Sequence, residues 1–189
     1  GNPAFRGLAR ALASALGMTA LASPFAATAA GTYIVNTTGD PGPLGSMSLR
    51  QAIAAADASD ENTVQFAASL AHSTITLTTG NIPISSAISI VGPGADNITI
   101  SGGNASRIFF PSCSANKLVS ISGLTLSDGN AGAQNGGAIL SFGCKLSLSD
   151  VHITNSHARS GGGVVFDSGT ISHSVISGCH ADNSGGAIA

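Results

Sequence analysis

A repeat of short, similar segments constrains this chain more than any other feature of its sequence. Successive copies begin 23, 26, 27 and 23 residues apart. Within most copies apolar residues alternate with small polar ones, which indicates a β-strand with one buried side and one solvent-facing side. The five copies are ITLTTGNI (75–82), ITISGGNA (98–105), LTLSDGNA (124–131), VHITNSHA (151–158) and SVISGCHA (174–181).

Two more strand-like elements recur with this repeat. The apolar pairs that precede several copies are Ile88/Ile90, Val119/Ile121 and Leu146/Leu148. The glycine-containing segments that follow are NGGAIL (135–140), GGGVVF (161–166) and SGGAIA (184–189). Three short strands in a unit of 23–27 residues predict an all-β fold, a parallel β-helix in which each strand stacks on its counterpart in the next coil. Helical repeats need ~33–34 residues, and an antiparallel sandwich, the main alternative, does not predict matches at a fixed offset.

The composition agrees with small coils and excludes two classes of protein. Apolar residues make up 43% of the chain, which argues against intrinsic disorder. Only 8% of the residues are charged and no run of Lys or Arg is present, so the sequence predicts no nucleic-acid partner. A surface of Ser, Thr, Asn and Gly is typical of extracellular repeat proteins.

The first 29 residues have the pattern of a secretory signal peptide. Arg6 and Arg10 precede an apolar stretch at 11–22, and Ala27-Thr28-Ala29 supplies the small residues of a cleavage site. We therefore expect an exported protein that is secreted or held at the cell surface or outer membrane. No later segment reaches the ~20 apolar residues of a transmembrane helix.

Residues 30–66 are predicted to form an N-terminal cap, and residues 67–189 the coils. The cap would combine the TYIVN strand (32–36) with a short helix within 46–56, whose N-cap is Ser46 or Ser48. Solenoids need such a cap to cover the strand edges of the first coil. Because the sequence stops within a glycine-containing element, we expect the natural protein to continue into further coils or an anchor.

Three segments of the sequence resemble a known family. SMSLRQAIAAADAS (46–59), NTVQFAASLAHSTITL (62–77) and IVGPGADNITISGGNASRIF (90–109) look like the CSLREA-domain family of exported bacterial proteins, although Met47 stands where the family motif usually has Cys. The resemblance implies a right-handed parallel β-helix displayed at the surface or secreted, and it implies no catalytic residues. The GGAI-like elements are more weakly similar to the repeats of polymorphic outer-membrane proteins.

The acidic residues do not form a catalytic pattern in the sequence. A glycoside hydrolase needs two carboxylates across the scissile bond, yet no repeat position collects two acids. Asp128, for example, aligns with Asn155 and Gly178. We interpret the acids as turn residues and predict no catalytic or cofactor-binding residue. The alternative is a carbohydrate-active β-helix enzyme whose site lies mostly in further coils.

Two histidines share one repeat position. His157 and His180 align with Asn104 and Asn130, so the two imidazoles should project from adjacent coils at ~4.8 Å spacing. Two histidines at that spacing are candidates for a transition-metal site. Because no third ligand aligns with them, the sequence favours a polar ladder in which His replaces Asn. Similarly, Thr76, Thr99 and Thr125 are predicted to share one outward position.

The three cysteines allow one disulfide in an exported protein. Cys144 aligns near Lys117, and Cys113 lies in the insertion just before it, so Cys113 and Cys144 are candidates for a bridge between neighbouring coils. Connectivity does not follow from sequence. Cys179 would remain as a free thiol.

These observations together predict a non-enzymatic surface protein. An adhesin, a stalk or a passenger-like region would use its polar, Ser- and Thr-rich faces for repeated contacts with glycans or proteins. No cofactor is expected for this role.

Overall fold

A computed structural model describes residues 30–189 and shows a chain built mainly of β-strands. The predicted signal peptide, 1–29, lies outside the described residues. In chain order the elements are β1 (Thr32–Val35), α1 (Leu49–Ala56), β2 (Asn62–Phe66), β3 (Ser73–Thr76), β4 (Ile82–Ile84), β5 (Ile88–Val91), β6 (Ile98–Ser101), β7 (Phe109–Pro111), β8 (Leu118–Ser127), β9 (Ile139–Thr154), β10 (His157–Ser160), β11 (Val164–Ser172), β12 (Val175–Ser177) and β13 (His180–Ser184). A short 3₁₀ turn, Ala68–Leu70, connects β2 to β3.

The strands form a parallel β-solenoid of about five turns, which confirms the predicted fold class. One face stacks β1, β2, β5 and then segments of β8, β9 and β11. A second face stacks β3, β6, β8, β9 and β12, and a third stacks β4, β7, β9 and β11. Every pairing between these strands is parallel, so the antiparallel sandwich is excluded. The first face runs without a break from β1 into the later coils.

Ladders of apolar side chains fill the interior. On each face an inward residue pairs with its counterpart in the next coil, so that apolar side chains stack along the solenoid axis. Burying such side chains stabilises the fold by about 1.5–3 kcal/mol each. The three main ladders are Val64-Ile90-Ile121-Leu148-Ile171, Ile75-Ile100-Leu126-Ile153-Ile176 and Ile82-Phe109-Ile139-Val164. Ile188 bridges to Val164 in the last coil and is 43% exposed.

The register between β3 and β6 differs from the sequence alignment by two residues. Ile75 pairs with Ile100 rather than with Ile98, and Thr74 rather than Thr76 pairs with Thr99. A shift by two residues keeps every side chain on its own face, because side chains alternate with period two. The alternation therefore cannot distinguish the two registers. The predicted alignments of Thr99 with Thr125 and of His157 with His180 match the observed pairs.

Helix α1 lies at the N-terminal end and packs against β1, β2 and β4. Its N-cap is Ser48, whose side chain accepts from the backbone of Gln51 while the Gln51 side chain accepts from the Ser48 backbone. This capping box satisfies two backbone donors that the helix leaves unpaired. The helix turns its apolar side toward the first coil and buries Leu49, Ala52, Ile53 and Ala56.

The corners of the coils use left-handed backbone. Asp128, Asn155 and Gly178 occupy equivalent corners with φ of 52°, 51° and 62°, a conformation that Gly, Asn and Asp adopt most readily. A second series of corners holds Gly123, Asp150 and His173. The predicted role of Asp128 as a turn residue is therefore explained by the backbone.

Close stacking also requires glycine at one point of the third face. A Cβ on Gly137 would collide with the carbonyl oxygen of Gly162 in the next coil. The glycine-containing segments consequently bring neighbouring coils closer than any larger side chain would allow.

Candidate functional site

A grid of hydroxyl groups covers the outward side of the first face over three coils. We call it the hydroxyl face. Its two rows lie two residues apart along the strands, and each residue is paired in register with its counterpart in the next coil. Neighbouring hydroxyls are therefore separated by ~4.8 Å between coils and by roughly 6.6 Å along a strand. The hydroxyl face consists of Ser120, Ser122, Ser147, Ser149, Thr170 and Ser172.

The side chains of the hydroxyl face make few hydrogen bonds to the rest of the protein. The Ser120 hydroxyl donates to Ser89 Oγ at 2.9 Å. Within residues 30–189, the hydroxyls of Ser122, Ser147 and Ser149 bond to no other protein group. Each hydroxyl is both a donor and an acceptor, so these groups are available to a polar ligand. Lys145 borders the face on one side, and the Asp150 corner borders it on the other.

A second polar group lies at the corner between the second and third faces. Strands β10 and β13 pair in parallel there, with His157 opposite His180. The two imidazole rings stack at 5.4 Å between centroids with 10° between their planes. Asn130, which lies in the preceding coil, forms a parallel β-bridge with His157. The predicted Asn–His ladder therefore exists at Asn130, His157 and His180.

No third ligand aligns with the two histidines at their repeat position, but the structure brings Asp182 beside them from another position. Asp182 Oδ1 is 3.0 Å from His157 Nε2 and 3.7 Å from His180 Nε2. The three ligand atoms all lie within 4.8 Å of one another. The alignment of repeats did not identify Asp182, because Asp182 does not occupy the repeat position of the two histidines. It lies two residues after His180 in the same strand. Residues i and i+2 of a strand project to the same side, and this rule could have identified it. We call His157, His180 and Asp182 the His–Asp corner.

Several carboxylates serve the turns between strands. Both oxygens of Asp57 accept hydrogen bonds from Ser85, and Oδ1 also accepts from the Ser86 backbone at 2.7 Å. Asp60 Oδ1 accepts from the Ala87 backbone at 2.8 Å and from Lys117 Nζ at 2.9 Å. The Ala87 hydrogen bond, and then Lys117, hold the pKa of Asp60 below its usual range. These contacts assign the two acids to turn geometry.

Asp40 is a buried carboxylate that binds Arg50 with both oxygens. Arg50 Nε donates to Oδ1 at 2.8 Å and Nη2 donates to Oδ2 at 2.9 Å. The guanidinium also donates to the carbonyls of Gly80 and Asn81, at 2.6 and 3.0 Å. Burial alone raises the pKa of Asp40, but the hydrogen bonds from Arg50 and Thr78 and the Arg50 charge outweigh it, so the pKa is lowered. This cluster joins the helix to the first coil.

Arg107 lies at the edge of a shallow cleft beside the His–Asp corner. Its side chain donates to the carbonyls of Gly136 and Asn135, at 2.9 and 2.7 Å, and lies over the Phe110 ring. Burial lowers the pKa of the Arg107 guanidinium, which still stays charged at neutral pH. The cleft has a volume of about 210 Å³ and is lined by Asn81, Ala105, Ser106, Arg107, Asn130, Ala131 and Gln134. Because Arg107 is engaged with backbone carbonyls, its main role is to hold the loop that carries Gly136.

The cysteines occupy two different environments. Cys113 and Cys144 form a disulfide with 4.8 Å between their Cα atoms, and Cys144 is fully buried. This bridge connects neighbouring coils on the side of the third face. Cys179 is a free thiol packed partly against the core, and burial raises its pKa. A thiol with a raised pKa is a poor nucleophile at neutral pH.

No helix within residues 30–189 is long and apolar enough to cross a membrane. The remaining histidines, His72, His152 and His173, lie apart from the His–Asp corner, and two of them occupy left-handed corners.

The fold and these sites define the class of the protein as a parallel β-solenoid with polar outward faces. Comparisons with protein-family models, with curated proteins and with solved structures found no match to this chain.

Proposed function

We propose that this chain is an exported, non-enzymatic β-helical surface protein that binds glycans through its repeated outward surface. The observation that carries the proposal is the hydroxyl face, where six uncharged side chains stand in register over three coils. The resemblance of residues 46–109 to the CSLREA-domain family and the signal-like pattern of residues 1–29 support export.

The chemistry of the hydroxyl face suits a glycan better than a charged polymer. Hydroxyl groups exchange donor and acceptor roles freely with sugar hydroxyls, and they carry no charge that would demand an ionic partner. A net hydrogen bond contributes about 0.5–1.5 kcal/mol, so one contact is weak. Several contacts at a regular spacing add up along an extended chain, which is how a repeated surface without a deep pocket can bind.

A binding assay with immobilised polysaccharides tests this proposal. We expect the mature chain to bind at least one neutral glycan, and the double variant Ser147→Ala, Ser149→Ala to bind about tenfold more weakly, because two hydrogen-bonding groups are lost. The matched control is Thr99→Ala, which removes an outward hydroxyl from the second face and should leave the affinity unchanged.

Three results would contradict the proposal. Equal affinity of the double variant and the control would exclude the hydroxyl face as the binding surface. Binding to surface proteins but to no glycan would assign the face to a protein partner instead. Release of new reducing ends or unsaturated uronates from the same polysaccharides would favour the alternative, a carbohydrate-active enzyme.

Export is tested separately. When the full chain is expressed in a bacterial host, we expect the mature protein outside the cytoplasm, with an N-terminus that follows Ala29. An uncleaved protein retained in the cytoplasm would contradict this part of the proposal.

A further inference from the structure

The parallel pairing of β10 with β13 determines the geometry of the His–Asp corner. The register places His157 directly opposite His180, and parallel strands lie ~4.8 Å apart. Asp182 follows His180 by two residues and therefore projects to the same side of β13. Three ligand-type side chains from two successive coils are consequently held on one surface by backbone hydrogen bonds.

The separations between the ligand atoms fit a small metal ion. Around a tetrahedral Zn²⁺ with bonds of ~2.0–2.1 Å, ligand atoms lie roughly 3.3 Å apart. Asp182 Oδ1 lies 3.0 Å from Nε2 of one histidine and 3.7 Å from Nε2 of the other. Both of these values differ from the tetrahedral separation by less than half an ångström. The ligand atoms of the two histidines lie within 4.8 Å of each other, so side-chain rotation must bring the two rings closer together around the ion. His180 is the most exposed of the three, at 72%, and has the most freedom to adjust.

The chemical types of the ligands favour a transition metal over Ca²⁺ or Mg²⁺. Two imidazole nitrogens and one carboxylate oxygen match the preferences of Zn²⁺, whereas the hard cations prefer a set of oxygens. Three protein ligands would leave at least one position for water. The side chains are between 37% and 72% exposed, so an ion in solution can reach them.

We propose that His157, His180 and Asp182 bind one divalent transition-metal ion, for which Zn²⁺ is the expected occupant. The ion would connect two successive coils at their outer corner and stabilise the later part of the solenoid. This site lies on a different surface from the hydroxyl face and does not depend on glycan binding.

The test is calorimetric titration of Zn²⁺ into the full chain, prepared without a polyhistidine tag and treated with a chelator beforehand. We expect one Zn²⁺ per chain and at least a tenfold loss of affinity in His180→Ala and in Asp182→Asn. The matched control is His173→Asn, which removes an exposed histidine from a left-handed corner that Asn also tolerates.

A second control addresses the neighbouring thiol. The Sγ atom of Cys179 approaches the carbonyls of Ile153 and Ser177, and it does not belong to the His–Asp corner. Cys179→Ser should therefore retain full affinity for Zn²⁺. If Cys179→Ser abolishes binding, the thiol is the ligand and the proposal is wrong.

Nuclear magnetic resonance of the histidine rings provides an independent readout. Zn²⁺ should shift the ring signals of His157 and His180, while those of His72, His152 and His173 stay in place. Absence of Zn²⁺ binding in the wild-type chain, or equal binding by the variant His157→Ala, His180→Ala, would overturn the proposal. Tighter binding of Ca²⁺ than of Zn²⁺ would overturn the assigned metal class.

Discussion

Two polar clusters in this solenoid each combine an aspartate with basic side chains, but they differ in how many of their polar groups already have a hydrogen-bond partner. The Asp40–Arg50 pair at the first turn of α1 is mostly buried, and its charged groups are engaged by each other and by backbone groups of the first coil. The His–Asp corner is exposed, and its three side chains share one contact of 3.0 Å and one of 3.7 Å. A saturated, buried cluster stabilises the fold, whereas an unsaturated, exposed cluster is available to a ligand.

The largest expected effect is on the buried pair. Arg50→Ala should lower the free energy of unfolding by about 2–4 kcal/mol, because it leaves the buried Asp40 carboxylate without its charged partner. Urea denaturation followed by circular dichroism measures this change. Arg159→Ala, which removes an exposed arginine, is the matched control and should change stability by less than about 0.5 kcal/mol. A similar loss of unfolding free energy in both variants would contradict the stabilising role assigned to the buried pair.

The stability that the Asp40–Arg50 pair contributes should depend on pH. The pKa of Asp40 is lowered in the folded chain, so its contribution to stability is present above the unfolded value of about 3.9 and is lost as the pH falls through the folded value. We expect the unfolding free energy of the wild-type chain to drop below about pH 4. The variant Asp40→Asn should show a smaller drop, because the titrating group is gone.

The exposed Asp150 provides the control for the acid experiment. Asp150→Asn keeps a residue that tolerates the left-handed corner and should retain the wild-type acid dependence. An Asp40→Asn variant with the same acid dependence as the wild type would contradict the assignment.

An intermediate effect is expected where the helix begins. Ser48→Ala removes the side-chain acceptor of the capping box and should cost about 1 kcal/mol of stability. Ser46→Ala, two residues earlier, lies outside the capping box and should cost less. Thermal unfolding of the two variants side by side measures the difference, and a larger loss for Ser46→Ala would contradict the N-cap assignment.

The smallest expected effect is at the His–Asp corner without metal. In the presence of a chelator, Asp182→Asn should change the unfolding free energy by less than about 1 kcal/mol, because exposed ion pairs contribute little. After Zn²⁺ is added, the wild-type chain should gain thermal stability and the variant should not. A large loss in the metal-free variant would show that the corner is structural, like the buried pair.

Much of the fold could be predicted because each coil repeats the same local pattern. The apolar alternation correctly placed residues such as Ile121 and Leu148 in one interior ladder, since burial of one face determines which side chains point inward. The pattern could not determine the register of β3, because Thr74 and Thr76 lie on the same face and either one satisfies the alternation.

The candidate sites were less predictable than the fold. Alignment of repeats found the pairing of His157 with His180, because both occupy one repeat position. It missed Asp182, whose contact with His157 joins two different repeat positions. It also missed the contact of Arg50 with Asp40, which lie ten residues apart in non-repeating sequence.

The sequence by itself determined the parallel solenoid, the helix near its N-terminal end and the polar character of its outward faces. These features follow from local periodicity and from the repetition of one unit, and both can be identified directly in the amino-acid sequence. Only the tertiary structure decided which side chains meet between coils. Such contacts depend on the strand register and on the positions of side-chain atoms to within a few ångströms. A repeat of about 25 residues does not specify distances at that scale.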